Sequence, residues 1–132
     1  MLRTAIRLCG VVLLSLTTLF VPGCARDQQL TSITLIPTMV TFQGIGAQLQ
    51  FKAIGNYIHP SDTKDITNNV VWSSNALSVA TINSTGLATG TNTCGSGEII
   101  ATYYTNASNP TSGTTIVATA QVVDGNNNGI CP

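Results

Sequence analysis

The clearest regularity in the chain is alternation with a period of two. In Gln48-Leu49-Gln50-Phe51-Lys52-Ala53 every second residue is apolar and every intervening one is polar. Successive side chains of a strand point to opposite faces, so this stretch is a half-buried strand with Leu49, Phe51 and Ala53 toward a core. Similar runs recur at Ser32–Ile36, Leu49–Ile58, Val70–Ser73, Val79–Asn83, Ile99–Tyr104 and Thr115–Val123. In the last of these, Ile116, Ala118, Ala120 and Val122 share one face. Past the first two dozen residues no apolar pattern persists at i, i+3, i+4, i+7, so no helix is predicted.

The breaks between runs carry turn chemistry. Pro37 has no N–H to give a ladder and ends the first strand. Gly44 and Gly46 bracket a tight connection, His59-Pro60-Ser61-Asp62 closes the long second strand, and Gly95-Ser96-Gly97 marks a loop. In SVATINSTGLATG, residues 78–90, Ala80 and Ile82 point inward, Asn83 to Gly86 turn the chain and Leu87 re-enters the core. Gly86 is expected at positive φ, which a Cβ resists. Strands at spacings near ten residues predict an all-β sandwich or barrel of a single domain.

The amino terminus is different. Arg3 and Arg7 precede an uncharged, mostly apolar run from Leu8 to Val21, which is shorter than the roughly 20 residues a spanning helix needs. This is the plan of an export signal. Val21-Pro22-Gly23-Cys24 resembles the lipobox of bacterial lipoproteins, with Pro22 departing from the usual small or aliphatic residue. The resemblance implies cleavage before Cys24, lipidation of its thiol and a membrane anchor made of acyl chains. By the same resemblance, Ala25 directs the protein away from an inner membrane, toward the outer membrane or cell surface. The expected division is a signal peptide at 1–23, a linker at 24–30, a domain at 31–123 and an Asn/Gly-rich tail at 124–132.

From Cys24 onward, Arg26, Lys52 and Lys64 stand against Asp27, Asp62, Asp65, Glu98 and Asp124, a formal balance of minus two. No basic stripe is present, so nucleic-acid binding is not expected. With Cys9 lost with the signal and Cys24 acylated, Cys94 and Cys131 remain. An even pair in an exported chain reads as a disulfide, with free or intermolecular thiols as the other reading. Closing a loop of about 38 residues contributes roughly 4 kcal/mol on the chain-entropy model, less any strain.

A series of short motifs then resembles one family. Ser32-Ile33-Thr34-Leu35 with Pro37, Asp65-Ile66-Thr67, Val70-Val71-Trp72-Ser73-Ser74-Asn75, Ser78-Val79-Ala80-Thr81-Ile82, Gly86-Leu87-Ala88-Thr89-Gly90, and Gly97 with Ile99-Ile100-Ala101-Thr102 follow in order. The order and spacing are similar to the bacterial Ig-like domain of group 2, the intimin and invasin type. The resemblance implies an Ig-like β-sandwich of about seven antiparallel strands with Trp72 between the sheets. It also implies the surface settings in which such domains serve as spacers or binding modules.

Candidate chemistry is sparse. His59 is the only histidine, Asp62 and Asp65 are the nearest acids, and no nucleophile elbow accompanies them, so no enzyme and no cofactor are expected. Asp124-Gly125-Asn126-Asn127-Asn128-Gly129 reproduces half of a calcium loop, with Asp124, Asn126 and Asn128 as oxygen ligands, but the acid expected at position twelve falls beyond Pro132. A plain Asn/Gly tail is the competing reading. Asn83-Ser84-Thr85 and Asn106-Ala107-Ser108 match a glycosylation triplet, a coincidence expected of a Ser/Thr/Asn-rich bacterial lipoprotein. Tyr57, Tyr103 and Tyr104 are the aromatic candidates for stacking on a sugar. Adjacent Tyr103 and Tyr104 must face opposite ways, so one belongs to the core. Two functions stand: a structural or interaction module anchored at the cell surface, or an adhesin subunit with a specific protein or glycan ligand.

Overall fold

The structure, a computed structural model, describes residues 27–91 and 93–125. Cys24, Asn126, Asn128 and Cys131 lie outside them, so the expectations for the signal, the anchor and the outer half of the calcium motif do too. The described residues form ten strands and no helix: β1 (Gln29–Ile36), β2 (Met39–Gln43), β3 (Gln48–Gln50), β4 (Lys52–Ile58), β5 (Asp62–Asp65), β6 (Val71–Ser74), β7 (Ala80–Ile82), β8 (Leu87–Gly90), β9 (Gly95–Tyr104) and β10 (Thr115–Gly125).

The expected all-β sandwich is what the chain builds. One layer is the sheet β2-β10-β9-β6. The other is made of β1-β4-β5 and β3-β8-β7, joined because β3 and β4 are one run of chain broken at Phe51. Ladders are antiparallel apart from β2, which runs parallel to β10 from Met39 opposite Gln121 to Gln43 opposite Gly125. That parallel pairing, and ten strands in place of about seven, are where the detail departs from expectation.

Pro37 does end β1, yet the chain resumes as β2 two residues later in the other sheet. Thr38 O accepts from Gln121 N at 2.9 Å, so pairing with β10 begins at once. Within β1 a register shift between Leu30 and Ser32 explains why Leu30, Ile33 and Leu35 are all buried although they do not alternate strictly. Edge strand β5 was not foreseen because Asp62-Thr63-Lys64-Asp65 is exposed throughout and carries no alternation. Charged residues on a sheet edge discourage pairing with other chains.

The core gathers Leu35, Phe42, Phe51, Ala53, Ile66, Trp72, Ala80, Ala88, Ile99, Ala101, Ala120 and Val122 from both layers. Phe51 and Trp72 meet at its centre with ring centroids 6.4 Å apart and planes tilted by 47°. Each contributes about 1.5–3 kcal/mol by burial, and the tilted pair roughly 0.5–1.5 kcal/mol more. The indole N–H is satisfied inside, donating to Thr67 O at 2.9 Å. Gly86 has φ of +83° as expected, and an added Cβ there would come within 2.8 Å of Phe51 O. One detail of that turn is corrected: Ala88, not Leu87, is the fully buried residue after it, while Leu87 is half-buried. Ala80 and Ile82 before the turn and Ala88 after it thus keep the same inward parity.

The strand directions give the described chain an end-to-end course. β1 runs antiparallel to β4 with Gln29 beside Ile58, and β10 ends with Gly125 beside Gln43. The chain from Ile58 back to Gln48 runs from the Gln29 end to Thr89, and the adjoining Gly90 packs closely on Phe42, next to Gln43, so Gln29 and Gly125 lie at opposite ends of the sandwich.

Candidate functional site

The acids and the histidine singled out in the sequence do not converge. His59 is exposed, at φ of +60° between β4 and β5. Asp62 and Asp65 open and close β5, three residues apart, and so point to opposite faces. Asp62 accepts from Thr63 N at 2.8 Å and pairs with Lys64 at 3.9 Å, an exposed contact of small energetic weight. Among the described residues no three His, Cys, Asp or Glu side chains gather to hold a metal ion.

Nor do the tyrosines form one platform. Tyr57 and Tyr103 pack against the core, while Tyr104 follows Tyr103 on the other face of β9. Partial burial, with Tyr103 and Asp62 nearby, raises the Tyr57 pKa, and Lys64 Nζ stands 5.1 Å from its ring centroid. Asp124 belongs to β10, opposite Phe42 and Gly95, and is fully buried, so it is not part of an exposed tail. Asn83 serves its own turn: Oδ1 accepts from Thr85 N, Thr85 Oγ1 and Leu87 N.

What the fold does assemble is a polar groove where β3 gives way to β4. Gln50, Lys52, Asp65, Thr67, Asn68, Asn69 and Thr85 line it. At Phe51 the chain changes partners. Phe51 N donates to Gly86 O at 2.8 Å, and Ala53 N donates to Thr67 Oγ1 at 3.0 Å, a side chain standing in for a ladder carbonyl. The turns at 65–69 and 83–86 therefore flank the switch as two walls.

Both walls are pinned. Asp65 Oδ1 accepts from Thr67 N at 3.0 Å and from Thr67 Oγ1 at 2.5 Å. These bonds, aided by Lys52, hold its carboxyl below the usual value. Gln50 Nε2 donates to Phe51 O at 2.8 Å and to Thr85 O at 2.7 Å, tying the floor to the second wall. Asp65 and Thr67 stand out in the sequence as motif residues, but nothing in their spacing shows that Gln50, Lys52, Asn68, Asn69 and Thr85 meet them. A signal was present in the polar Thr-Asn-Asn that follows Asp65 between two strands.

This geometry defines a class: a β-sandwich with pinned polar turns and no assembled catalytic group among the described residues. The bacterial Ig-like domain (group 2) family matches residues 29–111, and the chain belongs to that family. The chain is also 42% identical, over 86 residues, to ice-binding protein 1 of Shewanella frigidimarina. The match takes in 65% of this chain and 9% of the length of that relative. Domains of this family are typical of extracellular and cell-surface proteins.

Proposed function

We propose that this protein is a non-catalytic module of the cell envelope, held at the membrane by acyl chains on Cys24 and presenting one Ig-like domain as a structural or interaction element. The observation that carries this reading is the end-to-end course of the chain, entering near Gln29 and leaving near Gly125 at the far end. A domain threaded this way holds whatever follows it away from whatever precedes it. Each buried CH₂ of an anchor contributes about 0.8 kcal/mol, and stable retention takes more than one chain. The Val21-Pro22-Gly23-Cys24 stretch supports such an anchor, and Ala25 supports a destination at the outer membrane or cell surface.

In this reading Cys94 and Cys131 form a bridge. Cys94 directly precedes β9, whose Gly95 pairs with Asp124, which supports the pairing by bringing the end of β10 beside it. Six residues from Gly125 reach about 20 Å at full extension, ample for a return to Cys94.

The test is the intact mass of the protein from isolated membranes, before and after reduction. A chain beginning at Cys24 with a diacyl or triacyl increment, gaining about two daltons on reduction, is the expected result. An unlipidated soluble mass overturns the anchor and makes Pro22 the suspect residue.

A further inference from the structure

We propose that the groove between the 65–69 and 83–86 turns is a binding site for a neutral, polyhydroxylated ligand, a saccharide. Every lining residue is of a polar type, with one cation and one anion among them, Lys52 and Asp65. A free phosphate would meet the Asp65 carboxylate and a bare metal cation would meet the Lys52 ammonium. Neither class of ion finds a complementary field there, whereas a neutral ligand meets no net charge.

The hydrogen-bonding inventory points the same way. Both N–H groups of the Gln50 amide are spent on main-chain carbonyls, so Oε1 remains as its acceptor. Asp65 takes both Thr67 donors on Oδ1, which leaves Oδ2 as a second acceptor. Lys52 supplies donors, and the Asn68 and Asn69 amides supply donors and acceptors. Each hydroxyl of a sugar donates one bond and accepts others, so neighbouring hydroxyls match a lining that mixes the two. Fixed Gln50, Asp65 and Thr85 lower the entropy lost on binding. No aromatic side chain lines the groove, so binding rests on hydrogen bonds and affinity falls near the millimolar range, Kd about 1 mM.

The site does not depend on the anchor: a soluble, unlipidated chain would leave it intact, and its failure would leave the anchored module standing. The experiment is a titration of the purified full chain with glucose, mannose, galactose and N-acetylglucosamine, followed by backbone amide shifts. Inorganic phosphate and calcium are titrated in parallel. The expected result is a saturable response to at least one sugar, confined to Gln50, Lys52, Asn68, Asn69 and Thr85, with little response to either ion. Lys52→Ala and Asn68→Ala, both at exposed positions, each weaken that response about tenfold while leaving the rest of the spectrum unchanged. No saturable sugar response by about 50 mM, well above the expected Kd, overturns the proposal. A stronger response to phosphate or calcium does so too, as does a sugar response indifferent to both substitutions.

Discussion

Ten consecutive residue pairs join β9 to β10, whereas the chain from Gln48 to Ile58 pairs first with β8, breaks at Phe51, and only then takes up β1 and β5. In the first region the main chain satisfies itself, and side chains are left to face the core or solvent. In the second, turn carbonyls and the Thr67 hydroxyl stand in for ladder partners. A regular sheet thus tolerates exchange of its outward side chains, while a broken strand makes particular polar residues structural. The groove exists because of that substitution, which opens the ladder without leaving its buried groups unbonded.

The comparison can be broken most severely at the residue the two regions share. Trp72 lies on β6 in the regular sheet, touches Phe51 at the switch and donates to Thr67 O. Trp72→Ala should cost about 3–5 kcal/mol, read as a large fall in the urea midpoint. A smaller effect, specific to the switch, is expected of Thr67→Val. It keeps the shape but removes the acceptor for Ala53 N and the donor to Asp65, and should cost about 1–3 kcal/mol by the same measurement.

Acid should sharpen the contrast further. The Asp65 carboxyl titrates below its ordinary value when folded because Thr67 bonds its charged form. Its contribution is complete above the unfolded value near pH 4 and is lost as pH falls through the depressed folded value. Urea midpoints measured from about pH 5 to pH 2 should fall less steeply in Asp65→Asn than in the parent. The smallest effect belongs to the regular sheet: Val117, exposed on β10, should accept Thr with a change within about 0.5 kcal/mol by thermal unfolding. A loss there as large as that of Thr67→Val would erase the distinction between the two regions.

Alternation made the regular half readable in the sequence. Ile116, Ala118, Ala120 and Val122 do lie on one inward face of β10, and Leu49, Phe51 and Ala53 do turn toward the core. What alternation could not reveal was the change of partner at Phe51, because a strand that switches neighbours keeps the same in-out pattern on both sides. Strand β5 carried no apolar signal at all, and Pro37 marked the end of a strand without showing that the chain crosses to the other sheet and continues. The groove was the least legible part. Its residues come from positions 50, 52, 65, 67–69 and 85, and only the packing of two turns against one strand break brings them together.

The parallel pairing of β2 with β10 has a mechanical consequence. Tension applied between Gln29 and Gly125 draws β1 and β2 toward one end and β10 toward the other. The five residue pairs from Met39–Gln121 to Gln43–Gly125 are then loaded in shear along the strands, not peeled apart one by one. The bonds of such a patch share the force and must give way together, so a pull along this domain meets resistance at the outset, before the remaining sheet is disturbed.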